Sequence, residues 1–233
     1  MIAENLQQLK EKIVDQCKAS NRDIKDLKLV AVSKYFGLDA INNANNLGIT
    51  DFGENKAQEL RDKYHLIGDK VNWHFIGTLQ KNKVKYVIKA ASLIHSIDSI
   101  ALADEINKHS EKLSKVQNVL IEIKTSAEDT KAGLEQEEQI SKLAAHCNSL
   151  SSVNLTGLMT MAPFTNEELL IRKSFSELRK LKDKLNQQGF NISELSMGMT
   201  NDFEIAIDEG ATILRIGSAI FGPRDYSKDW NSI

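Results

Sequence analysis

Leu27–Gly37 reads LKLVAVSKYFG: an apolar, β-branched run as far as Ser33, then Lys34, and three residues later a glycine. A short apolar run bounded in this way reads as a buried strand. A lysine is an ordinary residue where a strand surfaces, and this segment alone gives Lys34 no other meaning. The surrounding sequence has to supply one.

Seven more runs of the same kind follow: ITDFGE, NWHFIG, SLIHSID, NVLIEIK, NLTGLMTM, ISELSMG and TILRIGS. Between them lie amphipathic, charged stretches such as LDAINNANNLG, NKAQELRDKYHLI, ALADEINKHSEKL, QEEQISKLAAHCNSL, EELLIRKSFSELRKLKDKLNQQG and DFEIAIDEG. Strands alternating with helices imply parallel pairing, because a parallel pair needs a crossover between its members. Eight βα units in 233 residues, close to the roughly 250 residues of a (β/α)8 barrel, predict a single α/β TIM barrel spanning residues 1–233. An open doubly wound sheet is the alternative. Ile2, Leu6, Leu9, Ile13 and Cys17 recur at helical spacing and add an extra N-terminal helix. Pro163 and Pro223 fall after the sixth and eighth strands, in segments expected to be loops.

Composition narrows the function classes. Thirty basic residues nearly balance 32 acidic ones, leaving a formal charge of -2, so a broad electrostatic surface for nucleic acid or anionic lipid is not expected. Cys17 and Cys147 form no CxxC pair and fit a reducing compartment. No apolar stretch is long enough for a membrane span or a signal peptide, so the expected setting is soluble and cytoplasmic.

In a barrel of this type the chemistry gathers at the C-terminal ends of the strands, and phosphate commonly binds after the seventh and eighth. Lys34 therefore lies at the functional rim. After the seventh strand, LSMGMTNDFEIAI offers Ser196, Gly198, Thr200 and Asn201, then Asp202 as an expected helix N-cap. Hydroxyls, a close backbone approach and the amides of a helix start suit a phosphate, although an ordinary capped turn has the same residues. The eighth strand ends in LRIGSAIFG, where Gly217 and Ser218 can serve the same anion. Arg215 shares a strand face with Gly217, and if that face is interior it is either half of a structural ion pair or a donor to a ligand's ring nitrogen. An imine-forming lysine, a phosphate cradle and a ring-facing arginine together describe a site for pyridoxal 5′-phosphate. Partial burial near other cations would favour the neutral, nucleophilic lysine.

His74 and His95 fall on strands without partners at metal-ligand spacing, so no metal site is expected; His74 is a candidate ligand contact. Met159, Met161, Met197 and Met199 cluster near two strand ends and read as packing around a ring.

The motifs AVSK, FGEN, WHFIGTLQKNK, HSID, KAGL, GLMTMAP, LSMGMTNDFEIAI and RIGSAIFG, in this order across nearly the whole chain, resemble the pyridoxal phosphate homeostasis proteins, the YggS/PROSC group. The resemblance implies a barrel like the alanine racemase N-terminal domain, the type III fold of pyridoxal phosphate proteins, holding the cofactor as an aldimine on Lys34. It implies phosphate contacts from Ser196, Thr200, Gly217 and Ser218, Arg215 at the pyridine nitrogen, and Asn55 lining the pocket. Where most members continue with a Thr-Lys-Pro-like turn, this chain has Tyr35, Phe36 and Gly37, which puts the local loop shape in question.

Two functions fit such a site: a carrier that buffers the cofactor and passes it to apo-enzymes by transimination, or an amino-acid racemase. An arginine donates to the ring nitrogen but hardly protonates it, which weakens the ring as an electron sink. Alanine racemase works with a similar arginine, using a tyrosine from a C-terminal domain. That domain is expected to be absent here, and neither Tyr35 nor Tyr226 matches its tyrosine. The carrier is therefore the expected function, as a monomer or weak homodimer.

Overall fold

The eight apolar runs form eight parallel strands closed on themselves. A computed structural model describes residues 1–126, 132–223 and 230 of the chain. The strands are β1 (Lys28–Val32), β2 (Asp51–Glu54), β3 (Asn72–Phe75), β4 (Ala91–Ile97), β5 (Gln117–Glu122), β6 (Val153–Met159), β7 (Glu194–Ser196) and β8 (Ile213–Ile216). They follow one another in chain order around the barrel, and β8 pairs with β1 through Leu29↔Leu214 and Val30↔Arg215. The open-sheet alternative is thereby excluded.

Nine α-helices occur among the described residues. The extra helix α1 (Ile2–Ala19) comes first, with Leu6, Leu9, Ile13 and Cys17 buried as their spacing predicts. Helices α2 (Leu38–Asn46), α3 (Ala57–Ile67), α4 (Val84–Val87), α5 (Ile100–Glu111), α6 (Glu137–Ser149), α7 (Glu168–Gln187), α8 (Phe203–Asp208) and α9 (Ser218–Phe221) follow the successive strands. The β3–β4 crossover has no long amphipathic stretch and shrinks to α4, where Val84, Val87 and Ile88 still reach the core. The α1 helix packs against α8 and α9, and Asn5 Nδ2 donates to the Ile220 carbonyl at 3.0 Å. Asn5 thereby ties the first helix to the last.

Period-two alternation sorts the strand residues into two cores. Ala31, Phe52, Trp73, Ile94, Val119, Leu158 and Leu214 face the helices and form the large outer core. Val30, Leu93, Leu120, Met159 and Ile213 form a separate inner cluster within the barrel. Two residues beyond a member of this cluster, the same face carries His95, Glu122 and Arg215. These polar groups are therefore aimed inward, and all three are buried. On these three strands the interior becomes polar towards the C-terminal end.

Candidate functional site

Lys34 stands two residues past the end of β1, half-buried in the turn that leads to α2. Its turn is held from below. Ser33 Oγ donates to Glu54 Oε1 at 2.6 Å, and the Tyr35 amide donates to Glu59 Oε1 at 2.9 Å. Lys63, fully buried on α3, donates to Glu54 (2.7 Å), Glu59 (2.8 Å) and the Ser33 carbonyl (2.9 Å). All three protons of its ammonium are thus used. Two carboxylates share one lysine, and burial pushes the Glu54 carboxyl up to about 7 against the pull of Lys63, with Glu59 adding to the rise. Sequence reading missed this cluster; the signal available was the i, i+4 spacing of Glu59 and Lys63, which is equally common on solvated helix faces.

The unusual Tyr35-Phe36-Gly37 turn has a definite shape. Tyr35 adopts φ +70°, and the Lys56 ammonium lies 4.7 Å from its ring centre. Phe36 stacks on Phe221 of α9 with centroids 4.9 Å apart. Gly37 has φ -74°, a value that a proline would also adopt.

Asn55 follows the last residue of β2, and its buried Oδ1 has no hydrogen-bond partner among the described residues. A buried amide oxygen left unpaired is costly, and one at a strand's C-terminal end is suited to accept from a ligand. Gly77 lets the backbone close in beside it, since a Cβ there would stand 2.2 Å from the Asn55 carbonyl oxygen.

Across the mouth, Thr200 and Ser218 come together, with Ser218 Oγ donating to Thr200 Oγ1 at 3.2 Å and the Ala219 amide 3.4 Å from that oxygen. Gly217 precedes α9 in the same loop. Ser196 is engaged differently. Its Oγ is buried between His95 Nδ1 (2.9 Å) and Arg215 Nη1 (2.6 Å). Arg215 also donates to the carbonyls of Ser196 (2.7 Å) and Thr160 (2.9 Å). Among the described residues its hydrogen-bond partners are carbonyls and a hydroxyl, so the structural ion pair is not found. Burial pushes its pKa down to about 10, with Asp202 and Glu122 opposing the shift. It remains a cation at neutral pH.

Asp202 precedes α8, but its side chain does not cap that helix; Oδ1 accepts from the Met199 amide and tightens the loop instead. Asp202 thus occupies the expected N-cap position without making the expected side-chain bond. Within that loop Gly198 has φ +94°, and a Cβ would lie 2.6 Å from Ala206 Cβ and 2.9 Å from Leu214 Cδ2. Gly198→Ala is therefore expected to lower stability by roughly 1–3 kcal/mol in denaturant titration, because both the dihedral and the space are wrong for a side chain.

Glu122, which sequence reading passed over, ends β5 on the inner face; burial raises its carboxyl to about 7, the Arg215 charge opposing this and Asp98 adding to it. Met159 and Met161 belong to the inner cluster, whereas Met197 packs in the outer core and Met199 is exposed. The methionines therefore do not form one group. Cys17 and Cys147 are buried and unpaired, and burial chiefly, with Asp104 nearby, pushes the Cys147 thiol up to about 12. Tyr226 lies outside the described residues.

No helix among the described residues is long and apolar enough to cross a membrane. Residues 2–225 match the family described as the alanine racemase N-terminal domain. A pyridoxal phosphate homeostasis protein of Aquifex aeolicus is 42% identical over 226 residues, 96% of this chain and 98% of its own. One from Haemophilus influenzae is 40% identical, with 99% of each chain covered. The crystal structure of PipY from Synechococcus elongatus with pyridoxal phosphate bound superposes with a TM-score of 0.84 at 30% identity, over 95% of this chain and 100% of that one. Alanine racemase of Clostridium difficile shares the fold at a TM-score of 0.75 and 16% identity; this chain spans 58% of its length. With the family's motifs in order and relatives of this similarity over nearly its whole length, the chain belongs to the pyridoxal phosphate homeostasis proteins, within the alanine racemase N-terminal domain family.

Proposed function

We propose that this protein binds pyridoxal 5′-phosphate at the C-terminal mouth of the barrel and acts in cofactor homeostasis, with Lys34 as its point of attachment. One observation carries the assignment of the site. Lys34 at the end of β1, Asn55 Oδ1 at the end of β2, unpartnered among the described residues, and Arg215 with the Thr200–Ser218 pair at β7 and β8 all belong to that mouth. These groups fit the cofactor: an amine, an amide oxygen able to accept, a cation, and hydroxyls for a phosphate. When bound, pyridoxal phosphate supplies an aldehyde that an amine attacks with loss of water.

The residues then have separate tasks. Lys34 supplies the amine, on a turn anchored by Glu59 through the Tyr35 amide. Thr200, Gly217 and Ser218 hold the phosphate, with Ser196 connecting that side of the mouth to Arg215. Asn55 lines the pocket. Arg215 donates to the pyridine nitrogen and, as a donor-only group, leaves that nitrogen without a proton. The resulting poor electron sink, together with the similarity of nearly the whole chain to relatives named as homeostasis proteins, favours a carrier over a racemase. The carrier releases its load to amines or to apo-enzymes that need it, in the cytoplasm, as a monomer or weak homodimer.

Incubation with pyridoxal phosphate followed by borohydride is expected to leave one covalent label per chain by mass spectrometry. The loaded protein incubated with single L-amino acids is expected to leave their chirality unchanged. Appreciable racemisation on a chiral column would replace the carrier with an enzyme.

A further inference from the structure

Five side chains from five strands form a continuous file through the barrel interior. Asp51 Oδ1 lies 2.9 Å from His74 Nε2, His74 Nδ1 lies 2.9 Å from His95 Nε2, and His95 Nδ1 lies 2.9 Å from Ser196 Oγ. Ser196 Oγ meets Arg215 Nη1 at 2.6 Å. Asp51 is the first residue of β2, so the file begins at the N-terminal end of the barrel, and it finishes at the arginine assigned above to the ring nitrogen. His74 is 1% exposed and His95 fully buried, so neither histidine is open to bulk solvent.

The direction of this file follows from donor chemistry. A guanidinium only donates, so Ser196 Oγ accepts from Arg215. The hydroxyl proton then has one acceptor among its partners, His95 Nδ1. His95 must carry its own proton on Nε2 and donate it to His74 Nδ1; His74 in turn donates from Nε2 to Asp51. Each bond sets the next, and the ring nitrogens of both histidines and the Ser196 hydroxyl are all satisfied with both imidazoles neutral. In the opposite arrangement His74 is an imidazolium and Ser196 accepts from both neighbours, which leaves the buried hydroxyl proton without an acceptor. We propose that Asp51, His74 and His95 are positioning residues that act through Ser196 to hold the Arg215 guanidinium, so that a carboxylate at one end of the barrel sets the orientation of the cation at the other. This rests on the reading of Arg215 as the partner of the cofactor ring.

The charge environment agrees. Burial, followed by the charges of His74, Arg215 and Lys28, depresses His95 well below the usual histidine range. Burial also depresses His74, against the bond and charge of Asp51, with Lys28 reinforcing the fall and Glu194 opposing it. Burial works against ionisation of Asp51, but bonds from His74 and Thr50 and the charges of His74 and Lys28 outweigh it and hold its pKa low. Lys28 and Glu194 face the lower end of the file, and Glu122 and Asp202 face Arg215. The neutral arrangement therefore persists down through neutral pH.

Two measurements test this. Nitrogen-15 NMR of the unloaded protein reads the tautomers directly: His74 and His95 should each be protonated on Nε2 alone at neutral pH. A proton on His95 Nδ1 would overturn the proposal, whether or not the protein takes a cofactor. The second measurement uses His74→Phe, which touches neither Ser196 nor Arg215. Its pyridoxal phosphate dissociation constant should rise about tenfold, the scale typical of lost outer partners of a bound group. The visible absorption band of the bound cofactor should shift with it. His74→Gln, able to accept at Oε1 and donate at Nε2, should recover part of both. A folded His74→Phe protein with the parent's dissociation constant and spectrum would reduce the file to a structural feature. Failure of the parent to bind pyridoxal phosphate would instead sink the cofactor assignment and leave the tautomer result standing.

Discussion

Lys34→Ala is expected to leave a folded barrel that borohydride no longer labels with pyridoxal phosphate, a complete loss read by intact mass. Other lysines are present, but Lys63, which approaches the same turn from below, has all three protons committed to Glu54, Glu59 and the Ser33 carbonyl. It is buried and cannot substitute. Lys34 is half-buried on a turn whose backbone is fixed by Ser33 and Tyr35 through groups that the substitution leaves alone. The denaturation midpoint should therefore correspond to a change within about 1 kcal/mol, the range of substitutions outside the core. Non-covalent binding should weaken without vanishing, because Thr200, Ser218 and Arg215 remain. A label persisting at the parent's stoichiometry would remove Lys34 from its assigned role.

The second large effect concerns stability. Lys63→Met keeps the length of the side chain but removes the only cation, among the described residues, bonded to the two buried carboxylates Glu54 and Glu59. Breaking a buried pair in this way costs about 3–5 kcal/mol, because the partner charges stay uncompensated. Chemical denaturation at neutral pH should show a loss of that size. Acidification should restore part of it by neutralising the carboxylates. The parent should show the same trend more weakly. Glu54 is raised from 4.5 to about 7, so its protonated form is favoured in the fold. Its contribution is fully present below about 4.5 and is lost as pH rises through about 7. Glu122 is shifted in the same direction and adds to the slope. Glu54→Gln in the parent should flatten the dependence; an unchanged slope would place the titrating group elsewhere.

The inner and outer faces of the strands could be assigned from alternation alone once the barrel was accepted. Arg215, two residues after Ile213 of the inner cluster, faces inward for that reason, and Lys34 lies at the rim because it closes the first apolar run. The binding partners within the barrel could not be read in the same way. Ser196 reads as a phosphate ligand in LSMGMT, and the structure commits its hydroxyl to His95 and Arg215, which lie 101 and 19 residues away. Asp202 takes the N-cap position that the sequence suggests, but its side chain accepts from the Met199 amide behind it rather than from the amides of α8. His74 and His95 each look like isolated strand histidines; they are neighbours only because β3 and β4 pair.

The sequence by itself therefore determined the order of elements, the closed parallel sheet and the residue types at its mouth, since hydrophobic period and turn chemistry are local properties. Tertiary structure alone decided which polar groups share a proton or a charge: Lys63 with Glu54 and Glu59, and the file from Asp51 to Arg215. Such pairings depend on strand register and on the exclusion of water from the barrel interior. Neither quantity exists until the sheet has closed.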